Sequence, residues 1–128
     1  MARPSFSLDD TFVHERTFTI EDVNHFTEVS GDRGSHHVTP DAKGRLMVQG
    51  LLTATLPSKM GGDFDYIARS MTFEFDRPVY TGDTINCLGR ITKMNKRDDR
   101  IEMDLAFDCK NQHGKVVMRG RTTGAVFG

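Results

Sequence analysis

The stretch Val29-Ser30-Gly31-Asp32-Arg33-Gly34-Ser35-His36-His37 places a carboxylate and an imidazole five residues apart in a short loop, just after a helical pattern. An Asp and a His that converge on one point hold a water and move its protons. Thirteen residues after His37, Gly50 opens an apolar, helix-like run. The first backbone N–H groups of such a run carry the partial positive charge of a helix start and suit a developing oxyanion. Asp32, His37 and Gly50 together point to proton transfer, with water added or removed next to a carbonyl.

Each of these residues also has a plainer reading. Asp32 after a glycine is a common turn residue, His37 suits a solvent-facing loop, and Gly50 lets two backbones pack closely. Asp32, His36 and His37 also suggest a metal. Three ligands crowded into six residues with no Cys or Glu nearby argue against one, so no metal is expected. His14, His25 and His113 fall in a strand, on a helix and in a turn, and no role is assigned to them.

The elements that position the loop follow from periodicity. Thr19-Ile20-Glu21-Asp22 reads as a capping-box start, and Ile20, Val23, Phe26 and Val29 recur at helical spacing, with Thr27 and Ser30 as the stripe drifts. Gly31 stands where a helix C-terminus wants a left-handed residue. A second, buried helix is predicted over Val48–Lys59 through Leu51, Leu52, Ala54, Thr55 and Leu56, with a kink or early end at Pro57 and a stop at Gly61-Gly62. Strands follow: Tyr66 to Phe75, Thr84 to Lys93, a strictly alternating Ile101 to Cys109, and Lys115 to Phe127, where Gly120 and Gly124 mark bulges or close approaches. The mixed-charge run Lys93-Met94-Asn95-Lys96-Arg97-Asp98-Asp99-Arg100 reads as a solvated turn. The fold class is α+β: a curved antiparallel sheet wrapped around a central apolar helix, with edge strands that favour a homodimer.

The chain has 128 residues, read as a single domain over 1–128 that buries about two-thirds of its unfolded surface. Its 17 basic and 18 acidic residues nearly cancel, which gives no support to a nucleic-acid footprint, since that needs a clustered basic face. No apolar run approaches the ~20 residues of a membrane span. Met1 to Ser7 has no hydrophobic signal core, and Cys87 and Cys109 read as reduced packing residues, so a cytoplasmic protein is expected.

The order and spacing of these motifs resemble the MaoC-like dehydratases, the hotdog-fold family that contains (R)-specific enoyl-CoA hydratases. Phe18-Thr19-Ile20-Glu21-Asp22-Val23 with Phe26 resembles the family's lead-in helix. Gly31-Asp32 with His37 matches its Gly-Asp-x-Asn-Pro-x-His signature, and Gly50 its His-Gly at the central helix. Arg77-Pro78-Val79 followed by Gly82-Asp83 matches a motif leading into a strand. The chain departs from the pattern at Gly34 and Ser35 in place of Asn and Pro, at Gln49 in place of His, and in a shorter segment from Val38 to Val48.

The resemblance implies a hotdog protein that hydrates trans-2-enoyl thioesters to (R)-3-hydroxyacyl thioesters, or dehydrates them. The substrate would be an acyl-CoA or an acyl-carrier-protein thioester, with no cofactor. Asp32 would be the general base and His37 the proton relay, with the Gly50 N–H holding the thioester oxygen. Ser58 corresponds by spacing to a family serine near the catalytic pair. His36 falls on the signature's apolar position. Lys43, Arg45, Lys59 and Arg69 are cations available to coenzyme A phosphates. Two other functions fit the same fold: a hotdog acyl-thioester hydrolase, and a non-catalytic module binding an acyl ligand or a partner.

Overall fold

The computed structural model describes residues 5–128, so the start of the segment read for a signal core, residues 1–4, lies outside the described residues. Strand β1 (Thr11–Thr17) leads into helix α1 (Ile20–Ser30). Thr19 Oγ1 accepts the Asp22 N–H at 3.1 Å and Asp22 Oδ2 accepts the Thr19 N–H at 3.0 Å, which closes the expected capping box. Gly31, at φ 75, ends the helix and donates its N–H to the Thr27 carbonyl at 2.9 Å.

The buried stripe of α1 follows the expected drift in part. Val23 and Thr27 are buried and Phe26 half-buried, whereas Ile20, Val29 and Ser30 are exposed. Val29 lies about 120° round the helix from Val23. The threonine brought into the core satisfies its own hydroxyl, which donates to the Val23 carbonyl at 2.8 Å.

Within the loop a single helical turn, α2 (Ser35–Val38), carries both histidines. The central helix is two segments, α3 (Gly50–Thr53) and α4 (Thr55–Gly62). The break comes at Ala54 rather than at Pro57, and the helix runs on through the proline. Pro57 has no N–H to give and its ring crowds the carbonyl four residues back, that of Thr53, so the irregularity appears one turn upstream. Leu52, Leu56 and Met60 are buried, but Leu51, expected in the same stripe, is exposed.

Strands β2 (Ile67–Phe75), β3 (Thr84–Lys96), β4 (Arg100–Lys110) and β5 (Val116–Phe127) complete a five-stranded sheet in the order β1-β3-β4-β5-β2. Every neighbouring pair is antiparallel. In β4, Ile101, Met103, Leu105, Phe107 and Cys109 are buried as expected, and they join Leu56 and Met60 of α4 in one core cluster. The charged run is less of a turn than expected. Lys93 to Lys96 extend β3, where Met94 pairs with Met103 of β4, and only residues 97–99 form the turn. Gly120 and Gly124 are close approaches: a Cβ at 120 would fall 2.7 Å from the Phe73 ring, and one at 124 would collide with the Ile67 carbonyl.

Cys87 and Cys109 are free, fully buried cross-strand neighbours. The hydrogen bond with Cys87, together with burial, pushes the Cys109 thiol well above its ordinary range, as befits packing residues. Among the described residues no helix is long and apolar enough to cross a membrane.

Candidate active site

Asp32 leaves α1 on a backbone fixed by Gly31. Its N–H donates to Ser30 Oγ at 3.0 Å, and its Oδ1 accepts the Gly34 N–H at 3.2 Å. This Asx-type turn holds one carboxylate oxygen and leaves Oδ2 facing His37. The His37 N–H reaches the Gly34 carbonyl at 2.8 Å, so the same glycine is bonded to both residues.

The His37 side chain is buried and its Nδ1 lies 2.6 Å from the Met47 carbonyl. A carbonyl only accepts, so Nδ1 carries a hydrogen, and it is the tautomer with the Nε2 lone pair turned to Asp32 that this contact selects whenever the ring is neutral. Nε2 is 3.5 Å from Asp32 Oδ2. That separation is long for a direct hydrogen bond. Two acceptors facing each other across it suit a water that donates to both. The Asp32 side chain is half exposed, which leaves the pair open to what enters from outside.

His36 is exposed, and its ring centroid lies 3.8 Å from that of His37, tilted by 55°. A Cβ at residue 34 would fall 2.8 Å from His36 Cε1, so Gly34 leaves room for that ring. Among the described residues no group of three or more His, Cys, Asp or Glu side chains gathers as metal ligands.

Gly50 starts α3 directly after Gln49, whose carbonyl accepts the Leu52 and Thr53 N–H groups at 3.0 and 3.1 Å. A Cβ at residue 50 would fall 2.9 Å from Phe75 Cε1, so glycine admits the β2 ring against the helix start. Asp32, His37 and Gly50 line one cavity of about 680 Å³, with Phe26, Val48, Gln49, Thr53, Phe75 and Val79 among its other walls.

Ser58 is not brought to this cavity. It is exposed on α4 and borders a separate void beside Tyr66 and Met71. It follows Pro57, and that turn of α4 directs it away from the pair. Two of the four expected cations are already engaged. Arg45 pairs with Asp41 at 2.9 Å and lies over the Tyr80 ring, and Lys59 pairs with Asp63 at 2.6 Å.

Sequence reasoning registered Gln49 only as a departure from the family pattern and missed that it is buried in the cavity wall. Its neighbour in space, Thr27, is 22 positions earlier, and no local pattern signals that contact. Phe75 was read as a strand residue and not as a wall of the site.

No family model matches the sequence. The structure superposes on the (R)-hydratase from A. caviae involved in PHA biosynthesis with a TM-score of 0.82, at 23% identity, covering 94% of this chain and 96% of that one. It superposes on the unliganded R-hydratase from Pseudomonas aeruginosa with a TM-score of 0.79, at 22% identity, covering 95% and 82%. The chain has the hotdog fold of the MaoC-like dehydratases. In sequence it is 27% identical over 126 residues to the mitochondrial 3-hydroxyacyl-[acyl-carrier-protein] dehydratase of Arabidopsis thaliana, covering 91% of this chain and 75% of that protein. The hotdog architecture that the resemblance implies is therefore present, with the sheet, helices and loop in the anticipated order.

Proposed function

We propose that this hotdog protein is a lyase that adds water to trans-2-enoyl thioesters, or removes it from (R)-3-hydroxyacyl thioesters, on coenzyme A or an acyl carrier protein. The observation that carries this reading is the Asp32–His37 pair, two acceptors 3.5 Å apart in a cavity that Gly50 also lines. The hydratase and dehydratase names of the similar proteins support it.

In the hydration direction a water sits between Asp32 and His37. Its oxygen bonds to C3 as Asp32 takes one of its protons; through His37 that same proton is passed on to C2 on the same face, while the water's other hydrogen stays on the new 3-hydroxyl. One water is added and both residues return to their starting state. As C2 gains electron density, charge develops on the thioester oxygen, and the Gly50 N–H at the start of α3 stabilises it. The tautomer set by Met47 matters here, because it turns the His37 lone pair toward the water.

The same reading includes a homodimer formed along β2. This is an edge strand with Ile67, Met71 and Phe75 exposed, and an unpaired apolar edge is a surface for pairing. The compartment proposed is the cytoplasm, where free buried thiols such as Cys87 and Cys109 stay reduced.

The test is hydration of crotonyl-CoA and of a longer trans-2-enoyl-CoA by the wild type, Asp32→Asn and His37→Ala, with folding checked by circular dichroism. Each variant is expected to lose about 10²–10⁴-fold in kcat. Full activity in Asp32→Asn would overturn the assignment of the base. Release of free thiol from saturated acyl-CoA, without hydration, would move the protein to the thioester hydrolases.

A further inference from the structure

Gln49 is almost completely buried, yet its Oε1 has no hydrogen-bond partner. The orientation of the amide is fixed by its neighbours. Thr27 Oγ1 spends its hydrogen on the Val23 carbonyl at 2.8 Å, so toward Gln49 it offers only lone pairs. The Gln49 atom 2.8 Å from it must therefore be Nε2, whose other hydrogen faces the Val23 carbonyl at 3.5 Å. A flipped amide would set its oxygen against two acceptors. Both donors are turned to α1, and Oε1 is left as a buried acceptor at a cost of about 1–3 kcal/mol unless something donates to it.

The void that Gln49 borders is the cavity holding Asp32, His37 and Gly50. The two residues differ in exposure: the Asp32 side chain is 50% exposed to solvent and Gln49 only 1%. On the thioester reading, with the oxygen at the Gly50 N–H, an acyl chain directed away from solvent would run along the buried wall that contains Gln49. Phe26, Val48 and Val117, which also line the cavity, are apolar, and the hydroxyl of Thr53 faces the Gln49 backbone carbonyl. A neutral amide oxygen among apolar side chains does not offset the desolvation of an ammonium group, but it matches a neutral hydroxyl.

We propose that Gln49 selects substrate: its Oε1 accepts a hydrogen bond from a hydroxyl on the acyl chain, beyond the carbons that react. This rests on the thioester reading above and adds the class of chain, hydroxylated rather than plain alkyl. The pantetheine amide N–H is the other donor such a ligand carries, and the two sources are separable by experiment.

The experiment is calorimetric binding of saturated acyl-CoAs of graded length, each with and without a terminal hydroxyl, to the wild type and to Gln49→Leu and Gln49→Met. Saturated chains are not hydrated, so binding is read independently of turnover. For at least one chain length the wild type is expected to bind the hydroxylated ligand about tenfold more tightly than its plain counterpart, and in the folded variants that ratio falls to about one. A ratio near one in the wild type at every length overturns the proposal and leaves Oε1 to a trapped water. A preference that survives both substitutions overturns it too, as does an equal loss for both ligands, the mark of a pantetheine contact. Failure of the hydratase reading shows elsewhere, as absent turnover of enoyl thioesters.

Discussion

Asp32 and His37 are held by different backbone groups, and this makes their juxtaposition a property of local chain geometry. The Gly34 N–H fixes one carboxylate oxygen and the Met47 carbonyl fixes the imidazole tautomer. Their spacing was legible in the sequence because a five-residue offset after a helix-ending glycine leaves few ways for the two side chains to meet. Ser58 was misplaced and Gln49 underrated for one reason: their surroundings are set by contacts between distant elements, which spacing does not encode. Gly50 was legible as a helix start but not as a neighbour of Phe75. That contact yields a prediction. In Gly50→Ala the new Cβ meets the far end of a half-exposed ring, which gives way, so melting temperature changes little. The displaced ring and the added methyl disturb the wall beside the N–H. We expect kcat/KM for enoyl-CoA hydration to fall by about 10²-fold. Unchanged kinetics in a folded Gly50→Ala protein would remove Gly50 from the site.

Among the elements, those with one buried face were read well and those whose packing is unusual were not. β4 alternates strictly because one face lies on the core, whereas β2 is exposed along most of both faces and its limits had to come from turn residues. The break at Ala54 escaped because a proline acts on the turn before it. Helix α1 was read correctly at both ends, and its cap has a pH consequence. Burial raises the Asp22 pKa, but the hydrogen bonds from the Thr19 backbone and side chain and the charge of Arg16 outweigh it, and the carboxyl titrates below its ordinary value of 3.8. A depressed folded pKa gives stability that is full above the unfolded value and is lost as pH falls through the folded one. Asp22→Asn should therefore be less stable near neutrality by about 1 kcal/mol. The difference from wild type should shrink as pH drops below about 4, where the wild-type carboxylate also becomes neutral. Urea denaturation across that range measures it, and a pH-independent difference would show that the carboxylate charge is not what matters.

At the scale of the whole molecule, the sheet closes around the central helix but leaves β1 and β2 as its edges. The two edges are not equivalent. β2 presents Ile67 and Met71 at 61% and 49% exposure, and its last residue, Phe75, lies against the start of α3 in the cavity wall. Asp76, Arg77 and Pro78, immediately after it, line the same cavity. A partner chain along β2 would thus both cover the apolar edge and brace one side of the site. Met71→Lys places a charge in the middle of that edge, where burial against a second copy would be costly. We expect the wild type to sediment at twice its 14.4 kDa chain mass and Met71→Lys at the mass of one chain. The wild type's melting temperature should rise with protein concentration and the variant's should not. Hydratase activity should fall with the loss of the dimer even though Met71 touches neither Asp32 nor His37. A wild type that stays monomeric at all concentrations would leave β2 free and confine the site to one chain. A variant that dimerises normally would move the contact to another surface.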